Sequence, residues 1–111
     1  MQVRNDRPLY HLFVPDEVAD LIRTMHPDLK KKVKAILQAL LLDPFLGKAL
    51  RDELEGLRSS RVSNYRVVYR VSEDRLIEIV AIGPRVSIYG DTLRLIQRKP
   101  RTGNGYSRYR S

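Results

Sequence analysis

Arginine is the residue through which this chain is best equipped to act. Residues 1–55 hold nine Lys and Arg against nine Asp and Glu, whereas residues 56–111 hold twelve against four. The whole formal charge of +8 therefore resides in the second half, where eleven of the twelve cations are arginine. A planar guanidinium makes paired contacts with phosphate that an ammonium group cannot reproduce, so the expected partner is a polyanion, either nucleic acid or an acidic protein. Spacing sharpens this. Tyr65, Val67, Tyr69 and Val71 alternate with Arg66, Val68 and Arg70, the period-two pattern of a strand with one buried face, so Arg66 and Arg70 share the other face. A neighbouring strand would add Arg58 or Arg61, and the segment after Gly83-Pro84 would add Arg85. Guanidinium groups gathered on one face repel one another, and an anionic ligand relieves that repulsion. Phosphate binding is the natural use. The competing role for Arg66 or Arg70 is a cross-strand ion pair with Glu78, an ordinary feature of sheets.

These arginines need a scaffold, and the pattern supplies one. The apolar run from Leu9 to Val14, closed by Pro15, reads as a first strand. Asp16 and Glu17 suit a helix amino terminus, and Val18, Leu21, Ile22 and Met25 recur at helical spacing. His26-Pro27-Asp28 breaks that helix and starts another, whose apolar stripe of Leu29, Val33, Ile36, Leu37, Leu40 and Leu41 runs to Asp43-Pro44. The two helices form an antiparallel hairpin. Residues 44–56 read as a loop holding about one helical turn, and strands follow over 57–62, 65–71 and 76–82, with Ser72–Arg75 as a turn. If the three strands form a meander, the face of Tyr65, Val67, Tyr69 and Val71 buries against the hairpin. Val86–Tyr89 reads as a short last strand, Gly90-Asp91 as a break, and Thr92–Arg98 as a final helical segment.

The predicted organisation is one α+β domain over residues 1–98 and a basic flexible tail over 99–111. The tail has no aliphatic residue, so it cannot order itself by burial, and its arginines interleave with Tyr106 and Tyr109 in a way suited to nucleic acid. The absence of cysteine removes thiolate catalysis and zinc–thiolate sites, and two separated histidines, His11 and His26, make a poor metal site. No metal and no cofactor is expected. No apolar stretch approaches the roughly 20 residues needed to span a bilayer, and the amino terminus lacks the order of a secretory signal; a cytoplasmic, membrane-free protein is expected.

Several pieces together resemble a known family. Asp43-Pro44, Gly47-Lys-Ala-Leu50, Glu53-Leu-Glu-Gly-Leu-Arg-Ser-Ser-Arg-Val62, Asn64-Tyr-Arg-Val-Val-Tyr-Arg-Val71, Ile79-Val-Ala-Ile-Gly83, Arg85 and Tyr89 are similar, in order and spacing, to the RelE/ParE superfamily of toxin–antitoxin toxins, and most of all to its RelE branch. The resemblance spans roughly residues 9–97. It implies a RelE-like fold in which an amino-terminal strand and helix hairpin pack on an antiparallel sheet with a short carboxy-terminal helix. It also implies a type II toxin that cuts messenger RNA on the ribosome without a metal, by attack of a 2′-hydroxyl on the adjacent phosphate. By motif position, Arg66, Arg85 and Tyr89 would be catalytic: the arginines on the charge developing at phosphate, the tyrosine stacked on the substrate base and involved in proton transfer. Arg58, Arg61 and Arg70 would position the RNA backbone. The implied partner is a RelB-like, acidic antitoxin.

The match has gaps. Many relatives carry a histidine directly before the arginine matched by Arg85 and a basic residue directly after it, where this chain has Pro84 and Val86. Two further readings stay open: a ParE-like inhibitor of DNA gyrase, which shares the fold, and an RNA-binding relative without cleavage.

Overall fold

The computed structural model describes residues 10–98. Strand β1 (His11–Phe13) leads into the helices α1 (Asp16–Arg23) and α2 (Pro27–Leu42). The two-residue strand β2 (Lys48–Ala49) and a single 3₁₀ turn (Asp52–Leu54) follow. Then come β3 (Arg58–Val62), β4 (Tyr65–Val71), β5 (Leu76–Pro84) and helix α3 (Ile88–Arg98). Each boundary has a local cause. Pro27 opens α2, where its missing N–H costs nothing, and His26 caps the helix by accepting a hydrogen bond at Nδ1 from the Asp28 N–H at 3.1 Å. His26 thus has a structural task as a helix cap, and it also lines a pocket with Ser63, Asn64 and Tyr65.

The five strands form one sheet in the order β1-β5-β4-β3-β2. Neighbours are antiparallel except β1, which runs parallel to β5 with Leu12 opposite Ile77. The sheet is therefore mixed, where an antiparallel one was expected. The helix hairpin makes the difference: it carries the chain across the sheet after β1, so the strand's partner need not be its sequence neighbour.

The main core lies between the hairpin and the face predicted to be buried. Val18 and Ile22 of α1 and Val33, Leu37 and Leu40 of α2 pack on Val67, Tyr69, Ile77, Ile79 and Ile82. In β5 the inward side chains change parity between Ile79 and Ile82, because Val80 is the extra residue of a bulge opposite Val68/Tyr69. This explains why β5 reads as a continuous apolar run. A smaller cluster on the far face joins Leu57, Val68 and Ile88.

That second cluster decides the chain's last element. Residues 86–89 form no strand, and Gly90 lies inside α3. A mid-helix glycine costs about 1 kcal/mol relative to alanine, but Ile88 and Thr92, one turn apart and both buried, hold the helix on the sheet. Gly83 makes this approach possible, since a Cβ there would stand 3.0 Å from Ile88 Cδ1. The segment assigned to a basic tail, 99–111, lies outside the described residues, as does Leu9.

Candidate functional site

The β3–β4 register determines which of the arginines meet. Arg61 stands directly opposite Arg66, and Ser59 opposite Val68, so Ser59, Arg61 and Arg66 share the face that α3 covers in part. From the first turn of α3, Tyr89 reaches back over this face, and its hydroxyl lies 3.1 Å from Ser59 Oγ. Arg66 Nη1 donates to the same oxygen, also at 3.1 Å. The guanidinium and the phenol are consequently no further apart than twice that distance. Ser59 itself is 1% exposed, whereas Arg66 and Tyr89 are half-buried and open to a ligand on one side.

Arg85 joins from a different element. Its backbone N–H donates to the Asn64 carbonyl at 2.7 Å, fastening the β5–α3 turn to the β3–β4 turn beside Arg66. Gly83, two residues earlier, is the cross-strand partner of Arg66, and the Arg85 side chain is exposed. Among the described residues, none of Arg61, Arg66 and Arg85 has a carboxylate within salt-bridge distance. Arg61 Nε donates only to the Ser63 carbonyl, at 3.4 Å. Three uncompensated guanidinium groups at one end of the sheet make a site for an anion with more than one charged oxygen.

Two of the arginines assigned to RNA lie elsewhere. Arg58 is opposite Tyr69 and so belongs to the hairpin side of the sheet. Its Nη2 donates to the Gly47 carbonyl at 2.7 Å and the Phe45 carbonyl at 3.3 Å, and its guanidinium lies 5.1 Å from the Phe45 ring centroid. Together with Tyr69, whose hydroxyl donates to the Pro44 carbonyl at 2.8 Å and accepts from the Gly47 N–H at 3.0 Å, it braces residues 44–47. Alternation alone allowed Arg58 or Arg61 on the arginine face, and the register chooses Arg61. Arg70 does share the face of Arg66, but its Nε donates to Glu78 Oε1 at 3.1 Å. That is the cross-strand ion pair weighed against a ligand role. Beside it runs a groove of about 250 Å³ lined by apolar residues such as Phe13, Leu57 and Leu95 and by Glu17, Glu53, Glu55 and Glu78, so carboxylates outnumber Arg70 there.

Sequence reasoning missed Ser59. The available signal was a small polar residue between arginines in Arg58-Ser59-Ser60-Arg61, but only the register shows that its side chain lies between Arg66 and Tyr89. No group of three or more His, Asp or Glu among the described residues is placed to hold a metal ion. None of their helices is long and apolar enough to cross a membrane.

The family model for the ParE toxin of type II toxin–antitoxin systems matches residues 16–89, which include both helices of the hairpin, all three long strands and Tyr89. The chain belongs to the RelE/ParE toxin superfamily. It is 38% identical over 88 residues to Toxin RelE of Mycobacterium tuberculosis, a match covering 77% of this chain and 90% of that one. Among solved structures it is similar to the toxin–antitoxin complex RelBE2 of M. tuberculosis, with a TM-score of 0.62 and 26% identity, covering 71% of this chain and all of that one. It is likewise similar to a free, doubly substituted E. coli RelE, with a TM-score of 0.63 and 18% identity over 78% of this chain and 97% of that one. The latter likeness is one of fold. This RelE/ParE member is thus a type II toxin whose α+β architecture places Arg61, Arg66, Arg85 and Tyr89 at one end of its sheet.

Proposed function

We propose that this toxin is a metal-independent endoribonuclease that cuts messenger RNA in the ribosome and so stops translation. The observation that carries the reading is the trio of uncompensated arginines, Arg61, Arg66 and Arg85, beside a tyrosine tied to one of them through Ser59. Cleavage proceeds by attack of the 2′-hydroxyl oxygen on the adjacent phosphorus. The 2′-hydroxyl gives up its proton as the new O2′–P bond closes a 2′,3′-cyclic phosphate, the P–O5′ bond breaks, and the departing 5′-oxygen takes up a proton, so the proton count is conserved. Negative charge builds on the phosphoryl oxygens in this step, and donors already fixed around that charge are the largest electrostatic aid an enzyme can give. Arg66 and Arg85 take that role, Arg61 positions the backbone, and Tyr89 presents its ring to a base and its hydroxyl to proton transfer. Such chemistry requires no metal ion.

The partner that silences it is a cognate RelB-like antitoxin, expected to be acidic. The similarity to the toxin–antitoxin complex RelBE2 of M. tuberculosis supports this assignment. A ribosomal target places the toxin in the cytoplasm.

One observation favours a second reading. The matching family model is that of ParE toxins, and Pro84 and Val86 stand where many RelE-like relatives carry a histidine and a basic residue. The alternative is inhibition of DNA gyrase. Expression in a translating cell-free extract, with messenger RNA ends mapped by primer extension, separates the two. New ends inside codons that require ribosomes and vanish in Arg85→Ala/Tyr89→Phe are the expected result. Absence of new ends together with loss of gyrase supercoiling would establish the alternative.

A further inference from the structure

We propose that Ser59 is a positioning residue of the nuclease site: its hydroxyl fixes Arg66 and Tyr89 relative to each other before RNA arrives. The inference deepens the endoribonuclease reading and rests on it. Three elements converge on one atom. Ser59 lies on β3, Arg66 seven residues on in β4, and Tyr89 thirty residues away in α3, yet both of the latter come within 3.1 Å of Ser59 Oγ. The Arg66 guanidinium has no acceptor lone pair, so it must donate, and the serine oxygen has lone pairs for both the guanidinium and the phenol.

The surroundings give this oxygen a task beyond packing. Ser59 stands opposite Val68, which is fully buried, and the apolar cluster of Leu57, Val68 and Ile88 flanks it. An alanine would suit such a place for packing alone, and a buried hydroxyl is tolerated only where it is hydrogen-bonded. Here its bonding partners are the two side chains assigned to the chemistry. Arginine is also long and has many rotamers, and among the described residues Arg66 makes no other side-chain hydrogen bond. Without Ser59 both groups would have to be ordered during the reaction, whereas groups held beforehand need not be. The phosphate oxygens can then take the outward-facing N–H groups of Arg66 while Ser59 keeps its inner edge.

The test uses the 111-residue toxin and two kinds of reading. Ser59→Ala removes the oxygen, Ser59→Cys keeps the volume with a weak acceptor, and Ser59→Thr restores the hydroxyl. In single-turnover cleavage of ribosome-bound messenger RNA, Ala and Cys should each lower the rate constant on the order of 10–100-fold, the scale of misplaced groups. The concentration giving half-maximal rate should change by less than about threefold, and Thr should recover most of the loss. In an Arg66→Ala/Tyr89→Phe background, Ser59→Ala should have no further effect, since the groups it orients are gone. A folded Ser59→Ala or Ser59→Cys toxin with the wild-type rate constant, or the same fractional loss in both backgrounds, overturns the proposal. Independently of any cleavage, carbon-13 spectra of ring-labelled tyrosine, with the Tyr89 signal identified from Tyr89→Phe, should show that signal shifting in Ser59→Ala or Ser59→Cys and returning in Ser59→Thr. An unmoved Tyr89 signal refutes the contact. A wild-type toxin that leaves messenger RNA intact refutes the nuclease reading instead.

Discussion

Arg66 and Arg70 are four residues apart on the same strand and the same face, and they have opposite fates. Across the sheet, Arg66 meets Gly83 on one side and Arg61 on the other, whereas Arg70 meets Glu78. The first is left with its charge uncompensated, bonded to a serine. The second is neutralised at the edge of an acidic groove. An arginine's availability to a ligand is thus decided less by its own strand than by the residue placed opposite it. One end of this sheet face leaves its arginines without carboxylate partners and the other pairs its arginine with Glu78, so the proposed nuclease reading puts the RNA at the first end.

The largest effect is expected at Arg66. Arg66→Ala should reduce messenger RNA cleavage on the order of 100-fold or more, as loss of a preorganised charge donor does, while circular dichroism stays native. Arg66→Lys should rescue little, because a point charge cannot serve Ser59 and a phosphate with one planar group.

Arg58 sharpens the contrast from the other face. Arg58→Met should lower stability by about 1–3 kcal/mol in urea unfolding, since the carbonyls of Phe45 and Gly47 lose a charged donor. The cleavage rate constant of the folded fraction should remain within about threefold of wild type; a 100-fold loss would return Arg58 to the RNA-binding set.

A milder change tests the support of Tyr89. Gly83→Ala sets a methyl 3.0 Å from Ile88 Cδ1, and this overpacking should cost about 1 kcal/mol, read as a lower thermal midpoint. Cleavage should fall in the same variant, because Tyr89 is the next residue on the displaced turn. An unchanged midpoint would mean that Ile88 can give way without moving the helix.

The smallest effect belongs to the neutralised end. Arg70→Gln should change cleavage by less than about threefold and stability by at most about 1 kcal/mol, the usual worth of a half-exposed ion pair. A loss comparable to that of Arg66→Ala would show that Arg70 leaves Glu78 for RNA.

Much of this arrangement is legible in the residues because it depends on local periodicity. The stripe of Val33, Leu37 and Leu40 can bury only on one side of a helix, and Tyr65, Val67, Tyr69 and Val71 can bury only on one side of a strand. Those two patterns establish the second helix of the hairpin, the central strand and the face on which Arg66 must lie. Where two weak local preferences competed, pattern failed. Val86–Tyr89 has the residues of a strand and Gly90 those of a break, but the deciding contact, Ile88 over Gly83, joins parts of the chain that local pattern cannot connect.

The sequence by itself therefore determined the basic second half, the alternation that separates Arg66 from the core, and the order of pieces by which the toxin family is known. Tertiary structure alone decided that Arg61 rather than Arg58 faces Arg66, that Glu78 cancels Arg70 and not Arg66, and that Ser59 lies between Arg66 and Tyr89. The physical reason is register. A side chain's face follows from its own strand, but its neighbour across the sheet depends on how strands align, and shifting that alignment by one residue would exchange every partner.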